Sequence, residues 1–253
     1  MRTTNVIGTE CLNTSYDELV VFLNGRCREE GTTAVDFTNV HIVAMRREDA
    51  GFRESLAETD FFVADSQVLF FTLKALGGRM DGRVYGPTYM RHGVLGAPGP
   101  YTHYFLGGSA DCLEKLEANF VEKSGGAVEV IGRHDGYFGD EDDDAIVEEI
   151  NRLSPDFIWV GLGTPKQQYW IAKNRGKIRR GVLLAVGFAF DVNAGTKKDA
   201  PAMFQKLGMT WFYRLCSEPR RLWWRYLKYN SLYLWFLMKQ VVFREKWVAK
   251  KAR

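Results

Sequence analysis

Residues 156–171 read DFIWVGLGTPKQQYWI. The run Phe157–Val160 is apolar and short, as in a strand buried on both faces. Gly161–Thr164 is a turn, and from Pro165 the spacing of Trp170 and Ile171 against Lys166, Gln167 and Gln168 suits a helix. Pro is well placed at a first helical position, and Thr164 is expected to cap that helix. Strand, tight turn and helix in sixteen residues is the unit from which parallel α/β sheets are built.

The same unit recurs on either side. TTAVDFTNV (32–40), FFVAD (61–65), YTHYFLGG (101–108), VEVIGR (128–133) and GVLLAVGFAFD (181–191) are the further strand-like runs. SYDELVVFLNGRCREE begins at Ser15 with a capping box, Glu18 standing three residues on. RREDAGFRESLAETD (46–60) reads as one helix, and further helices are expected over roughly 109–124, 142–153 and 165–174. We therefore expect an α/β fold, a mostly parallel, Rossmann-like sheet with helices on both faces, over residues 1–195. Residues 196–253 are expected to form a C-terminal helical appendage that associates with membrane.

Of the 253 residues, 46% are hydrophobic and 26% charged, an ordinary globular balance, and the net charge is only +3. A nucleic-acid partner is not expected from so small a charge. Cys11, Cys27, Cys112 and Cys216 form no CxxC pair, and His41, His92, His103 and His134 make no HxH or HExxH pattern. We expect neither disulfides nor a metal site. MRTTNVIGTECLNTS lacks the apolar core of a signal peptide, and no run of about 18 apolar residues occurs. The expected location is cytoplasmic.

Ligands of such sheets bind beyond the carboxyl ends of the strands. Thr38-Asn39, Asp65-Ser66, Gly107-Gly108-Ser109 and Gly161–Gln168 all fall there. Strand-to-helix turns need Gly, Ser and Asn in any case, so each alone is equally well read as architecture. Asp65 ends an apolar strand, where a carboxylate must face a cleft or find partners; it is the leading general base, ahead of Asp36 and Asp191. Gly107, Gly108, Gly161 and Gly163 would let backbone approach a nucleotide diphosphate, with free N–H groups of the next helix holding it. Lys166 adds charge, and Gln167 or Gln168 a bond to sugar or base. Arg83, in a glycine-rich loop, could neutralise phosphate or stand on the surface. The fingerprints of P-loops and of dinucleotide-binding folds are absent.

EPRRLWWRYLKYNSLYLWFLMKQ (218–240) is of another character. Beyond Glu218 the bases Arg220, Arg221, Arg225, Lys228, Lys239, Arg244, Lys246, Lys250, Lys251 and Arg253 face only Glu218 and Glu245, so the rest of the chain is net acidic. Ser217 is expected to cap a helix here. Wound at about 100° per residue, Arg220, Arg221, Arg225, Lys228 and Lys239 share roughly 140° of arc, with aromatic and aliphatic residues over much of the remainder. Tryptophan and tyrosine favour the headgroup layer and arginine and lysine attract anionic lipid. Packing on the main domain or on a second subunit is the alternative.

The chain resembles the WecG/TagA/CpsF family of bacterial glycosyltransferases over nearly its whole length. The resemblance runs through FTNVHIV, LAETDFFVADSQVL, YFLGGSADCLEKLEANF and DFIWVGLGTPKQQYWI, and is most specific in the GlyxGlyxProLysGln turn and in AGTKKDAP through WFYRLCSEPRRLWWRY. It implies inverting, metal-independent transfer of a sugar from a UDP-sugar to a polyprenyl-diphosphate-linked saccharide, in teichoic acid, common-antigen, capsule or exopolysaccharide synthesis. No cofactor is implied beyond the UDP-sugar substrate, and the place of work would be peripheral, on the inner face of the plasma membrane. By the resemblance Asp65 is the base, and Thr38 and Asn39 match the family's Thr-Asn region and are expected as catalytic-site residues offering neutral hydrogen bonds to a hydroxyl-rich substrate. Lys166 and Gln167 belong to the family's turn, and Arg214, Arg220, Arg221 and Arg225 are the appendage arginines that meet substrate and membrane. Three places depart from the family pattern: Ser66 stands where glycine is usual, Gln168 where glutamate is, and QVLFFTLKALGG where small residues begin the next helix. They leave a glucose-type or uronic donor open beside an amino sugar. A soluble nucleotide-dependent transferase dimerising through its last helix, and a non-enzymatic nucleotide or nucleic-acid binding module, are the rival readings; a homo-oligomer is compatible with any of them.

Overall fold

The computed structural model describes residues 1–96 and 100–243. The chain opens on a hairpin, β1 (Thr3–Val6) and β2 (Thr9–Leu12), followed by α1 (Tyr16–Asn24), β3 (Gly31–Thr38), α2 (Val40–Glu48), α3 (Ala50–Ser55) and β4 (Phe61–Ala64). Then come α4 (Gln67–Ala75), α5 (Gly86–Leu95), β5 (Thr102–Gly107), α6 (Ala110–Lys123), β6 (Glu129–His134), α7 (Asp143–Leu153) and β7 (Phe157–Gly161). The last elements are α8 (Lys166–Asn174), β8 (Arg180–Ala185), α9 (Ala189–Ala194), α10 (Ala202–Lys206), α11 (Thr210–Ser217) and α12 (Pro219–Val241).

The described strands form one eight-stranded sheet in the order β1-β2-β4-β3-β8-β7-β5-β6. Only β1 and β2 pair antiparallel; every other pairing is parallel. The expected parallel α/β class is therefore the observed one. Alternation along the strands sends side chains to two cores. Phe157 and Trp159 face α1, α5, α6 and α9, whereas Ile158 and Val160 face α7 and α8. A third cluster under β2 and β4 is closed by α2, α4 and the inner face of α12.

Several local expectations are met and others shift. Ser15 forms the capping box with Glu18, and Ser109 caps α6 by accepting from the Cys112 N–H. Thr164 does not cap α8, which starts one residue later behind Pro165. Ser217 ends α11, its hydroxyl donating to the Tyr213 carbonyl, and α12 begins without a side-chain cap. The helix expected over 46–60 breaks at Asp49, which ends α2 and caps α3 through the Phe52 N–H. The strand expected over 181–191 stops at Ala185; Ala189–Ala194 is the helix α9.

The last helix is docked. Leu222 and Tyr233 are buried, Tyr229, Leu232, Phe236 and Leu237 pack against the α2–α4 cluster, and the Tyr229 ring meets His41 edge-on at 4.5 Å. At its far end Gln240 behaves like a strand residue towards the β1–β2 turn. It accepts from the Ile7 N–H at 2.6 Å and donates to the Asn5 carbonyl at 3.1 Å. Ile7 and Gly8 hold φ of 51° and 79°, the two left-handed positions of a tight two-residue hairpin turn.

Candidate functional site

The carboxyl ends of the neighbouring strands β4, β3 and β8 carry Asp65, Thr38-Asn39 and Val186. Here a cavity of about 110 Å³ opens, lined from the sheet by Asn39, Asp65 and Val186. Arg83, Tyr85 and Phe188 add to its walls, and the chain after residue 207 closes it with Thr210, Trp211, Arg214 and Tyr226.

Asp65 is held from several sides. Its N–H donates to the Thr38 carbonyl at 2.8 Å, and its Oδ1 accepts from the Gly86 N–H at 2.7 Å. Gly86 is the first residue of α5, with Pro87 behind it, so a helix N-terminus points at the carboxylate. Burial raises the proton affinity of Asp65 above the ordinary range, while the Gly86 N–H, Arg83 and Arg214 work against that rise. A carboxylate lifted by burial but steadied by cations is suited to take a proton and release it again.

The other residues divide. Asn39 uses its side chain to cap α2, accepting from the N–H groups of His41 and Ile42. Ser66 caps α4 by accepting from the Leu69 N–H. Thr38 is fully buried, and its hydroxyl donates to Asp36 beneath it. Arg83 donates to the Asp65 carbonyl at 3.3 Å and to Gln205 Oε1 at 2.9 Å, with its guanidinium 4.1 Å from the Tyr85 ring centroid. Arg214 stacks on Phe188 at 4.1 Å. Arg225 lies half-buried beside Tyr226 and lowers the proton affinity of His41, to which burial is the larger contributor. Arg220 is exposed, and the side chain of Arg221 lies outside the described residues, as do Arg244 and the bases beyond it.

The glycine group lies on the next two strands, at the ends of β7 and β5, outside the lining of that cavity. Two of these glycines are required by the protein itself. A Cβ on Gly107, which has φ +128°, would stand 2.4 Å from the Gly161 carbonyl carbon, and one on Gly161 would stand 2.7 Å from the Phe190 ring. Gly108 packs on Cys112 and Phe190, and Gly163 donates its N–H to Gln167 Oε1 at 3.1 Å. Lys166 reaches the carbonyls of Gly136 and Phe138, 3.0 Å from each. Both glutamines are buried. Gln168 donates to Asp36 Oδ2 at 2.8 Å, so an amide stands where a glutamate would oppose another carboxylate.

Sequence reading passed over Tyr85, Phe188, Asp199 and Gln205, and the helix α5. The Gly86-Pro87 pair was the available signal for that helix start. Among the described residues no three His, Cys, Asp or Glu side chains converge as a metal-binding group, and no helix is long and apolar enough to cross a membrane.

A family model described as "Glycosyl transferase WecG/TagA/CpsF family" matches residues 4–247. Among curated proteins, the N-acetylglucosaminyldiphosphoundecaprenol N-acetyl-beta-D-mannosaminyltransferases of Staphylococcus aureus strains MW2 and NCTC 8325 / PS 47 are each similar to this chain. Each is 39% identical over 89 residues, covering 35% of this chain and 35% of the relative. The matched chain thus spans about a third of the length of those relatives.

Proposed function

Because this chain belongs to the WecG/TagA/CpsF family of glycosyl transferases, we propose that it moves a sugar from a UDP-sugar onto a hydroxyl of a polyprenyl-diphosphate-linked saccharide, with inversion and without a metal ion. The observation that carries the reading is Asp65, a carboxylate on the wall of a strand-end cavity with its Oδ1 on a helix N-terminus and Arg83 and Arg214 beside it. In this reaction an acceptor oxygen attacks the anomeric carbon and gives its proton to Asp65. The bond from that carbon to the UDP oxygen breaks, and UDP leaves with the bonding pair. A single displacement inverts the centre. Charge growing on the departing diphosphate is met by Arg83 and Arg214, both of which line the cavity. The relatives' name supplies the acceptor class, a diphosphoundecaprenol bearing N-acetylglucosamine; the donor sugar is for assay.

The last helices support a peripheral place on an anionic membrane. Opposite its docked face, α12 presents Trp223, Trp224, Leu227, Leu234, Trp235 and Met238 to solvent. Trp211 lines the cavity and is itself 39% exposed, so the apolar face reaches the mouth where a lipid-linked substrate would enter. Single apolar residues on a surface mean little, but a stripe of this length marks an interface.

The test is a panel of UDP-sugars offered with lipid-linked acceptors in liposomes, following UDP release and product mass together. Asp65→Asn should lower turnover by on the order of a hundredfold or more and leave UDP binding nearly intact. Unchanged turnover in that variant would sink the assignment. Flotation with liposomes separates a membrane face from a dimer face: protein that stays in the bottom fraction beside lipid and runs as a stable dimer in size-exclusion chromatography would favour the latter.

A further inference from the structure

The segment AGTKKDAP was singled out by sequence, and its aspartate has no part in the reaction as written above. In the structure Asp199 sits on the loop before α10 and accepts three hydrogen bonds. Its Oδ1 accepts from the Tyr85 hydroxyl at 2.6 Å and from the Ala200 N–H at 2.7 Å; its Oδ2 accepts from Gln205 Nε2 at 3.1 Å. Gln205 turns its other atom, Oε1, to Arg83 at 2.9 Å, and Arg83 reaches the Asp65 carbonyl at 3.3 Å. From Tyr85 the backbone continues directly to Gly86, whose N–H meets Asp65 Oδ1. The contacts close a ring. Asp65 is held by two arms, Arg83 and Gly86; besides the short chain between them and the contact of Arg83 with the Tyr85 ring, the arms are tied by hydrogen bonds through Asp199 and Gln205.

Directionality in the ring is fixed by chemistry. Tyr85 stays protonated, because burial and then the neighbouring carboxylate push its hydroxyl far above the usual phenol range. It must therefore donate, and Asp199 must accept. An arginine cannot accept, so Gln205 must present its oxygen to Arg83 and its amide hydrogens to Asp199. Each member has one allowed orientation, which is what a brace requires.

Resting on the proposed transfer reaction, we infer that Asp199 and Gln205 are positioning residues, which hold Arg83 and the Gly86 N–H against Asp65 and thereby let the chain after residue 195 set the geometry of the reacting carboxylate. Neither residue lines the cavity.

A charge swap tests this. Asp199→Asn sets two amide groups face to face; Gln205→Glu sets two carboxylates face to face. The double variant D199N/Q205E keeps the parent's net charge and restores every donor to an acceptor except at the Ala200 carbonyl, which Gln205 Nε2 also meets at 2.8 Å. Each single change should lower kcat on the order of 10- to 100-fold, the loss that follows a displaced catalytic group, with the donor KM moved less than about threefold. The double variant should recover at least tenfold over the weaker single one. Singles that turn over like the parent, or a folded double variant with no recovery, would overturn the brace.

A second measurement does not need turnover. Asp65 faces Arg83 and Arg214, which lower its proton affinity, and Asp199 and Asp36, whose charges raise it; Tyr16 and Tyr85 nearby stay neutral. In Gln205→Met the guanidinium loses its acceptor and its hold, and the Asp65 titration followed by carboxyl carbon NMR should move to higher pH. Its signal is identified by its loss in Asp65→Asn. An unmoved midpoint overturns the brace whatever the chain's activity. A parent protein that transfers no sugar while the midpoint moves overturns the reading of function and leaves the brace standing.

Discussion

Asp36 is 1% exposed in the floor beneath the site, and both its oxygens are bonded, Oδ1 to the Thr38 hydroxyl and Oδ2 to Gln168. Burial outweighs those two bonds and lifts its pKa from the ordinary 3.8 to about 6. The folded protein then holds the proton more tightly than the unfolded chain does. Stability contributed here is present at low pH and is lost as pH rises through the window between those values. Above that window the ionised carboxylate destabilises the fold by about 3 kcal/mol, at ~1.4 kcal/mol per pH unit. Asp36→Asn imitates the protonated form. Its oxygen accepts from Gln168, its amide donates to Thr38, and the Thr38 hydroxyl retains the Asp36 carbonyl as a partner at 3.3 Å. At pH 8 the variant should melt above the parent by roughly 6–12 °C, from the usual 2–4 °C per kcal/mol for a chain of this size. At pH 4 the two should coincide. Comparing variant with parent at each pH cancels His41 and His103, whose burial as neutral rings lowers their pKa values to about 3 and about 4 and destabilises both proteins alike in acid. Thermal melts by circular dichroism from pH 4 to 8 decide it. A variant that melts at or below the parent at pH 8, or a gap that persists at pH 4, would refute the reasoning.

Gln168→Glu runs the same argument backwards: a second buried carboxyl 2.8 Å from Asp36 must keep a proton, so the melting point should fall and the loss should deepen as pH rises, by roughly 2 kcal/mol or more at pH 8. Gly161→Ala drives a Cβ to 2.7 Å from the buried Phe190 ring and should cost about 1–3 kcal/mol in chemical denaturation, with Phe190→Leu in the same chain recovering part of it. Leu227→Glu with Leu234→Glu changes side chains that are 57% and 63% exposed; melting should stay within about 2 °C of the parent while liposome flotation drops at least tenfold. Equal flotation would show that this stripe does not meet lipid.

The parallel sheet was legible because its strands are continuous apolar runs followed by capped helices, and Ser15 and Ser109 cap where their positions say they should. Asp65 was legible for a related reason: a carboxylate closing an apolar strand must be accounted for. The hairpin β1–β2 was not, since NVIGTECL has neither a long apolar run nor an Asn-Gly turn, and Ile7 adopts the left-handed turn position against its own preference. GVLLAVGFAFD misled because a buried strand and a buried helix are equally apolar, and periodicity does not separate them over so few residues. The glycines of YFLGGS and GLGTP read equally as a ligand cradle and as strand-to-helix architecture. The structure adds an architectural need at Gly107 and Gly161, for close approach to one another's backbone and to Phe190, a contact that no local pattern announces. Arg83 was legible only as a charge in a loop. Its two partners come from Asp65 and Gln205, the latter 122 residues away in the chain.

The position of α12 joins these local facts to the proposed reaction. Its inner face is fixed at two points far apart, by Tyr233 in the α2–α4 cluster and by Gln240 on the β1–β2 turn. A helix so fixed cannot rotate about its axis without exposing Tyr233, whose burial contributes on the order of 2 kcal/mol or more. Its outer face is therefore fixed as well, and Trp223, Leu227, Leu234 and Trp235 look outward together. Tyr226, between those residues and the docked ones, lines the cavity, with Trp211 packed against it at 6.1 Å. The exposed apolar face, the cavity mouth and Asp65 are thus set at one fixed relation by the packing of a single helix. A transferase whose acceptor sugar hangs from a membrane-bound diphosphate needs such a relation, because the reach from bilayer to carboxylate is then decided by the fold and not by diffusion of the enzyme.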